Sequence, residues 1–394
     1  MTKFFFYALN IGTEKNFCTF PSVDVQYFIC MFSAVWTESK GRDYFMAKKE
    51  KLLVGVDIGS HAVKICQLQK VKGNYELVTL GSATLPPGAV EDGVLQSPEQ
   101  VGQAITKLFK NLKLSKNTKV AISISGYSVI VKKIKLDVME EEKLEKYLKD
   151  EAEQYIPFDI ADVYLDFQDL KTNREEFDQT DIMLVAAKKE VIDGYLNMLR
   201  SIKIQPLLVD VDGFALENIW STVDKQSDNI ALIDIGAEKM NINIIIKGTS
   251  VLARDINAGS QQLTDRIATT LGVEQEEAEK LKIGVTPAGD HQKDLEEIFN
   301  SVCTNWVFEI QKAIDLYRSK NADRPLARIV LSGGGSKVNG LAEYISRETR
   351  LEVIRFNPFA EMKINEKKID RDYIDAIGPE MAIAAGLAIR PSEI

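Results

Sequence analysis

One pattern occurs twice and limits the possible folds more than anything else in the chain. Val54-Gly55-Val56-Asp57-Ile58-Gly59-Ser60 runs into Val63-Lys64-Ile65, and Ala231-Leu232-Ile233-Asp234-Ile235-Gly236-Ala237 runs into Asn241-Ile242-Asn243-Ile244. Each copy is an apolar strand ending in aspartate, a turn containing glycine, and an immediate second strand. The distance from Val54 to Ala231 is that of a domain, not of a solenoid repeat, so the pattern implies two similar half-domains facing each other.

Such a unit points successive backbone N–H groups into the concave side of its turn, where they hold phosphate oxygens, while the aspartate reaches a magnesium ion or its waters. Gly59 and Gly236 permit close approach of the backbone. A single Asp-x-Gly closes many ordinary tight turns; two copies at domain spacing favour an anion cradle. A third element, Leu331-Ser332-Gly333-Gly334-Gly335-Ser336-Lys337, lies between a strand and a helix. Its glycines let the backbone lie flat against a base or ribose, and the helix start behind it favours an anion. Its structural alternative is a flexible strand-to-helix turn. Neither GxxxxGK[ST] nor GxGxxG occurs, so Walker and Rossmann readings have no support.

Composition narrows the function. With 49 Lys plus Arg against 58 Asp plus Glu, the net charge of -9 disfavours a phosphate-backbone footprint and direct binding to anionic lipid. Four Cys without a CxxC pair and two His support neither a zinc site nor a disulfide framework, which fits a reducing compartment. The longest uncharged apolar stretch near the start, Val25 to Thr37, is too short to span a bilayer. Residues 1–45 hold 12 aromatics and lack a sustained helical or alternating period. They are expected to be an upstream extension with Met46 as the natural start; the alternative is a hydrophobic docking arm.

Strands are expected over Leu52–Ile58, Ala62–Gln69, Tyr75–Thr84 and Lys119–Ile124. A helix is expected after Ser97-Pro98-Glu99, with Ser97 as its cap. An α+β module follows from Gly126 to about Pro206, with a helix over Met139–Tyr155 and a polar tip over Lys171–Thr180. A linker over Ser221–Asp228 precedes the second half, in which the strand series recurs and helices then dominate from Gly259 to Lys320. An Ala-rich helix over Pro379–Ile389 closes the chain.

Two phosphate hairpins and a glycine-rich turn, in this order, resemble the actin-like ATPase superfamily. Glu151-Ala152-Glu153-Gln154-Tyr155-Ile156-Pro157-Phe158-Asp159, Leu184-Val185-Ala186-Ala187-Lys188-Lys189, Val209-Asp210-Val211-Asp212-Gly213-Phe214-Ala215 and Glu277-Ala278-Glu279-Lys280-Leu281-Lys282-Ile283-Gly284 are similar to the PilM family of type IV pilus assembly proteins, relatives of FtsA. The likeness runs from Met46 to the C-terminus. It implies an α/β actin-like ATPase fold: two ribonuclease-H-like half-domains around a nucleotide cleft, with an inserted FtsA-type α+β subdomain. The implied divisions are 1A over 46–125 with 207–225 and 377–394, 1C over 126–206, and domain 2 over 226–376, its helical 2B over about 272–327.

The resemblance further implies ATP and Mg2+ as cofactors. Asp57 would orient the metal, and Gly59, Ser60 and Lys64 would hold phosphates. Asp234 and Gly236 would act likewise across the cleft, with Asp234 and Asp212 the catalytic candidates and Asp212 polarising water. Glu279 and Lys282 would hold the ribose, their alternative being a surface pair, and Gly334, Gly335 and Ser336 would take the adenosine. The implied partner is the cytoplasmic N-terminal tail of the inner-membrane protein PilN, in a groove lined by Val129, Ile130, Tyr155, Ile156 and Phe158. Further implied partners are other pilus proteins, including cytoplasmic motor ATPases, with possible self-association. Localisation would be cytoplasmic, at the inner face of the membrane through PilN.

One departure stands out. Active relatives continue the second hairpin with further Gly and Thr, whereas Ala237-Glu238-Lys239 follow here. Fewer donors for a terminal phosphate predict nucleotide binding with slow turnover. An FtsA-like membrane-associated cytoskeletal ATPase and an actin-fold small-molecule kinase are the alternatives; no distinctive substrate base supports the kinase, and no basic amphipathic terminal helix supports self-tethering.

Overall fold

The computed structural model describes residues 6–7, 51–170, 178–224, 228–366 and 369–392. Apart from Phe6 and Tyr7, the expected N-terminal extension lies outside the described residues, as does most of the polar tip, 171–177.

Three antiparallel strands open the described chain: β1 (Val54–Ile58), β2 (Ala62–Val71) and β3 (Asn74–Thr84). α1 (Pro98–Asn111) lays Val101, Ile105 and Leu108 on the sheet and leads to β4 (Lys119–Ile124). Proline in its first turn fits the helix start, but Ser97 makes no side-chain capping bond, contrary to the sequence expectation. The module follows: β5 (Val129–Asp137), α2 (Glu141–Glu151), β6 (Val163–Asp169), β7 (Gln179–Lys188) and α3 (Lys189–Ser201). The expected helix over Met139–Tyr155 is shorter, ending in a 3-10 turn over Ala152–Gln154. The strands form a separate sheet in the order β5-β7-β6, antiparallel throughout.

β8 (Gln205–Val211) returns to the first sheet and runs into α4 (Asp212–Val223). The second half then repeats the opening: β9 (Ile230–Ile235), β10 (Met240–Ile246) and β11 (Thr249–Ile256) are antiparallel neighbours. Helices α5 (Gln261–Leu271), α6 (Gln275–Lys282) and α7 (Gln292–Lys320) follow, then β12 (Arg328–Ser332), α8 (Leu341–Thr349) and β13 (Glu352–Arg355). Two short helices, α9 (Arg371–Ile377) and α10 (Ala382–Ala388), end the described chain.

The two large sheets share one topology. The first runs β3-β2-β1-β4-β8 and the second β11-β10-β9-β12-β13. In each, the first strand is antiparallel to the second and parallel to the fourth, which is parallel to the fifth. Phe6 and Tyr7 add an antiparallel pairing at the outer edge of β8, opposite Val209 and Leu208. The central strand β1 is buried along its whole length, as a strand covered on both faces must be.

Small residues set the joint at the base. All seven residues of α10 are buried, and it packs against β1 and α4. A β-carbon on Gly55 would overlap Ala384 O, and one on Gly386 would overlap Ala215 O. Glycine is therefore required at both contacts. Behind this joint the buried Arg390 guanidinium donates from Nε to Asp210 Oδ2 at 3.0 Å, tying the chain's end to β8. Among the described residues no helix is long and apolar enough to cross a membrane.

Candidate functional site

The repeated strand order brings the C-terminal ends of β1 and β9 to opposite walls of one cavity of about 290 Å³. Asp57, Gly59, Ser60, Lys64, Asp212, Asp234, Gly236, Glu279, Lys282 and Gly334 all line it. The two turns close identically: Gly59 N–H donates to Ala62 O at 3.1 Å and Gly236 N–H to Lys239 O at 2.8 Å. Those two amides are thus engaged within their own turns. The glycines supply shape, keeping side-chain bulk off the cavity wall.

Asp57 is 5% exposed, and its Oδ2 pairs with Lys64 Nζ at 3.1 Å. Burial pushes the Asp57 carboxyl above the usual range; Lys64 opposes this, and Asp212 adds to it. Burial works against the Lys64 ammonium, yet Asp57, Glu380 and Asp234 outweigh it and hold its pKa above the ordinary value. Opposite, Asp234 Oδ1 accepts the Ser332 hydroxyl at 2.8 Å, and burial raises its pKa to about 6. Three aspartates thus converge electrostatically around one lysine, an arrangement that favours a divalent cation.

The residues present are compatible with a magnesium ion that keeps most of its waters. Among the described residues no group of three His, Cys, Asp or Glu closes to metal-ligand spacing. Magnesium keeps several waters and uses one or two carboxylates plus phosphate oxygens, so the set here suits it rather than a fully caged metal. Two buried polar atoms of the lining, Ser123 Oγ and Asn241 Oδ1, lack a protein partner, which also fits a polar occupant.

Glu279 and Lys282, three apart on α6, form an ion pair at 2.6 Å. It is not the surface pair of the alternative reading: the Lys282 side chain is 3% exposed and also donates to Thr264 Oγ1 at 2.9 Å. Burial lowers the Lys282 pKa, and Glu279 partly offsets this.

The glycine turn divides into front and back. Gly333, at φ +81, and Gly334 face the cavity. Gly335 packs against Ile235, and Ser336 is wholly buried with its hydroxyl on Gly333 O at 2.7 Å. Gly335 and Ser336 therefore support the wall and do not line it, contrary to the sequence expectation.

Sequence reasoning missed Lys337 and Glu380, which form an ion pair at the cavity, together with Ser332 and His61. Glu380 follows no local motif; only the fold carries it from near the C-terminus to the cleft. His61 stands in the first turn and was readable there; burial pulls its pKa below the ordinary value.

The five expected groove residues do not share one surface. Val129 and Ile130 are consecutive on β5 and face opposite sides: Val129 packs towards the first half, Ile130 into the module's core. Ile156 is buried within that core. Tyr155 and Phe158 are half-buried at its rim, Tyr155 Oη within 3.1 Å of Tyr147 Oη and Phe158 beneath Lys188 Nζ at 5.4 Å. Val129 and Ile156 thus belong to different packing clusters.

Two sheets of identical order, meeting at a cleft walled by the duplicated hairpins, define an actin-like ATPase fold with α/β topology. A family model described as type IV pilus assembly protein PilM matches residues 55–392, and the chain belongs to that family. The solved "PilM-PilN type IV pilus biogenesis complex" superposes with a TM-score of 0.75 at 26% identity, covering 86% of this chain and 97% of that one. Cell division protein FtsA of Borreliella burgdorferi is 24% identical over 83% of this chain and 89% of its own length. FtsA of Pseudomonas aeruginosa is 23% identical over 74% and 80%.

Proposed function

We propose that the chain is a nucleotide-gated adaptor of the type IV pilus inner-membrane complex: it binds ATP with Mg2+ between its halves and holds the cytoplasmic N-terminal segment of a PilN-type partner. The observation that carries the nucleotide reading is the pair Asp57 and Asp234, set on opposite walls of one cavity with Lys64 between them. The similarity to a protein solved in complex with PilN supports the partner. In this reading the first half and α10 form subdomain 1A, the β5-to-α3 module is the FtsA-type 1C, and residues 226–376 form domain 2.

A bound Mg2+ would neutralise the terminal phosphates and orient an attacking water. Asp57 and Asp234 would hold its water shell, and Lys64 would offer its ammonium to phosphate. The N–H groups after Gly59 and Gly236 border the phosphates. Glu279 and Lys282 face the ribose, and Gly334 faces the base. Asp212, at the start of α4, accepts a proton from water in the cleft. Glu238, which lines the cavity, accepts the Asp92 backbone N–H from the other half. With few donors on that turn, hydrolysis is slow.

The partner segment lies between the module and the first half as an extended peptide held by main-chain hydrogen bonds, and Tyr155 and Phe158, at the module's rim, border its exposed end. The protein is thereby held at the inner face of the membrane and linked to the pilus motors.

The test titrates the protein with a fluorescent ATP analogue, with and without Mg2+, and then with the partner's N-terminal peptide in each state. Peptide affinity is expected to differ by about tenfold between the ATP·Mg2+ and nucleotide-free states, a shift of roughly 1.4 kcal/mol. Equal peptide binding in both states would refute gating, and no peptide binding in either would refute the adaptor.

A further inference from the structure

We infer that Asn241 is a positioning residue that reads the contents of the cleft and transmits them to the root of the inserted module, an inference that rests on the nucleotide reading above. The repeat itself locates it. In the first hairpin the cross-strand partner of Asp57 is Lys64; in the second, the cross-strand partner of Asp234 is Asn241. One wall thus carries a cation, and the other a neutral amide at the matching place.

The orientation of that amide is fixed. Asn241 Nδ2 donates to Asp255 Oδ1 at 2.7 Å, and because a carboxylate only accepts, the nitrogen must be on that side. Oδ1 then lies beside Gly213 at the start of α4, shut off from solvent and without a protein donor. A buried acceptor left unpaired is costly, so its occupant must donate. A phosphate oxygen cannot. A water can, either one bound to the cation or one lined up with the terminal phosphate.

The other side of Asp255 leads out of the cleft. Its Oδ2 accepts Gly126 N–H at 2.9 Å. Gly126, at φ +90, lies between β4 and β5, where the chain leaves the first half for the module. A second tether lies beside it: Lys239 Nζ donates to Ser125 Oγ at 2.7 Å. Tyr195 Oη, on α3 of the module, donates to Gly93 O at 3.1 Å, and Gly93 itself packs against Ser125. A continuous polar path therefore runs from the cleft through Asn241 and Asp255 to the base of β5. Water held by a triphosphate and its metal satisfies Oδ1 and stiffens this path; a diphosphate leaves it slack.

Backbone amide exchange over residues 125–130 of the full chain, with ATP·Mg2+ and with ADP·Mg2+, tests this. Exchange at Gly126 is expected to be about fivefold slower with ATP, the equivalent of one hydrogen bond. Asp255→Ala is expected to abolish that difference while binding the fluorescent ATP analogue within about threefold of the parent, so that binding itself reports the fold. Asp255→Asn, a near-isosteric second variant, is expected to abolish it too, because its NH2 can pair with Asn241 only if that amide flips, which takes Oδ1 away from the cleft water and turns Nδ2 towards it. A difference that persists in either variant, or equal exchange with both nucleotides in the parent, would overturn the inference. A parent that binds no nucleotide would instead bring down the nucleotide reading, and this inference with it.

Discussion

Asp234 is the residue whose surroundings most directly set a pH dependence. Burial lifts its pKa from 3.8 to about 6, against the opposing Ser332 hydroxyl. Between those values the folded chain holds a proton that the unfolded chain has released, so this residue's contribution to stability falls as pH rises through the window. Below it no cost is present; above it the cost is full. Asp234→Asn, always neutral, is expected to be about 2 kcal/mol more stable than the parent at pH 8 and nearly equal to it at pH 4, by urea denaturation. The same variant should lose metal-dependent nucleotide affinity, and the parent's affinity should weaken below about pH 6 as the carboxyl protonates. A stability gain equal at both pH values would show that Asp234 is not the titrating group. Asp57 and Asp234 were legible in the sequence because the pattern around them is duplicated. Asn241 was part of that duplicate, but its meaning depends on strand register, and Glu380 carries no local signal at all.

Among the elements, α10 shows how steric fit seats a helix against β1 and α4. Its Ala-rich sequence reads as a buried helix, yet the reason for its small residues is visible only in the packing: Gly386 meets Ala215 O and Ala384 O meets Gly55. Gly386→Ala is expected to cost about 3 kcal/mol, at the upper end for overpacking, because backbone on both helices must shift. Gly194→Ala on α3 is the control. Nothing lies near its would-be β-carbon, so the change should stabilise by about 0.5–1 kcal/mol through helix propensity and unfolded-chain entropy. Equal effects at the two sites would mean that α10 can slide. The same contrast explains what sequence reading found and missed. β4 was read at its observed bounds because an apolar run sits between clear turns. The edge strand β13 has only four residues, half of them charged, and α9 is a single short helix after a masking polar stretch, so neither has a period to detect.

Across the whole molecule, the proposed closure of the halves on a nucleotide is a question of charge. The chain carries -9 overall, and Asp57, Asp212, Asp234, Glu238, Asp255, Glu279 and Glu380 outnumber Lys64, Lys239, Lys282 and Lys337 around the cleft. Three of those lysines are paired with acids, Lys64 with Asp57, Lys282 with Glu279 and Lys337 with Glu380, and Lys239 is held on the Ser125 hydroxyl. A triphosphate entering alone would add several negative charges to a wall whose cations are taken. A divalent ion reverses that balance by sharing its charge between phosphate oxygens and the two aspartates. Nucleotide affinity is therefore expected to fall at least about 100-fold when Mg2+ is chelated, a loss of roughly 2.7 kcal/mol. Small-angle scattering should show compaction only with ATP and Mg2+ together, since Asp57 and Asp234 stand on different halves and repel without the ion. Lys64→Met should deepen the metal requirement, because it removes the charge that holds Asp57 in check. Tight binding and compaction in the presence of a chelator would mean that the lysines alone neutralise the phosphates, and the paired aspartates would then have to be assigned to folding rather than to the ligand.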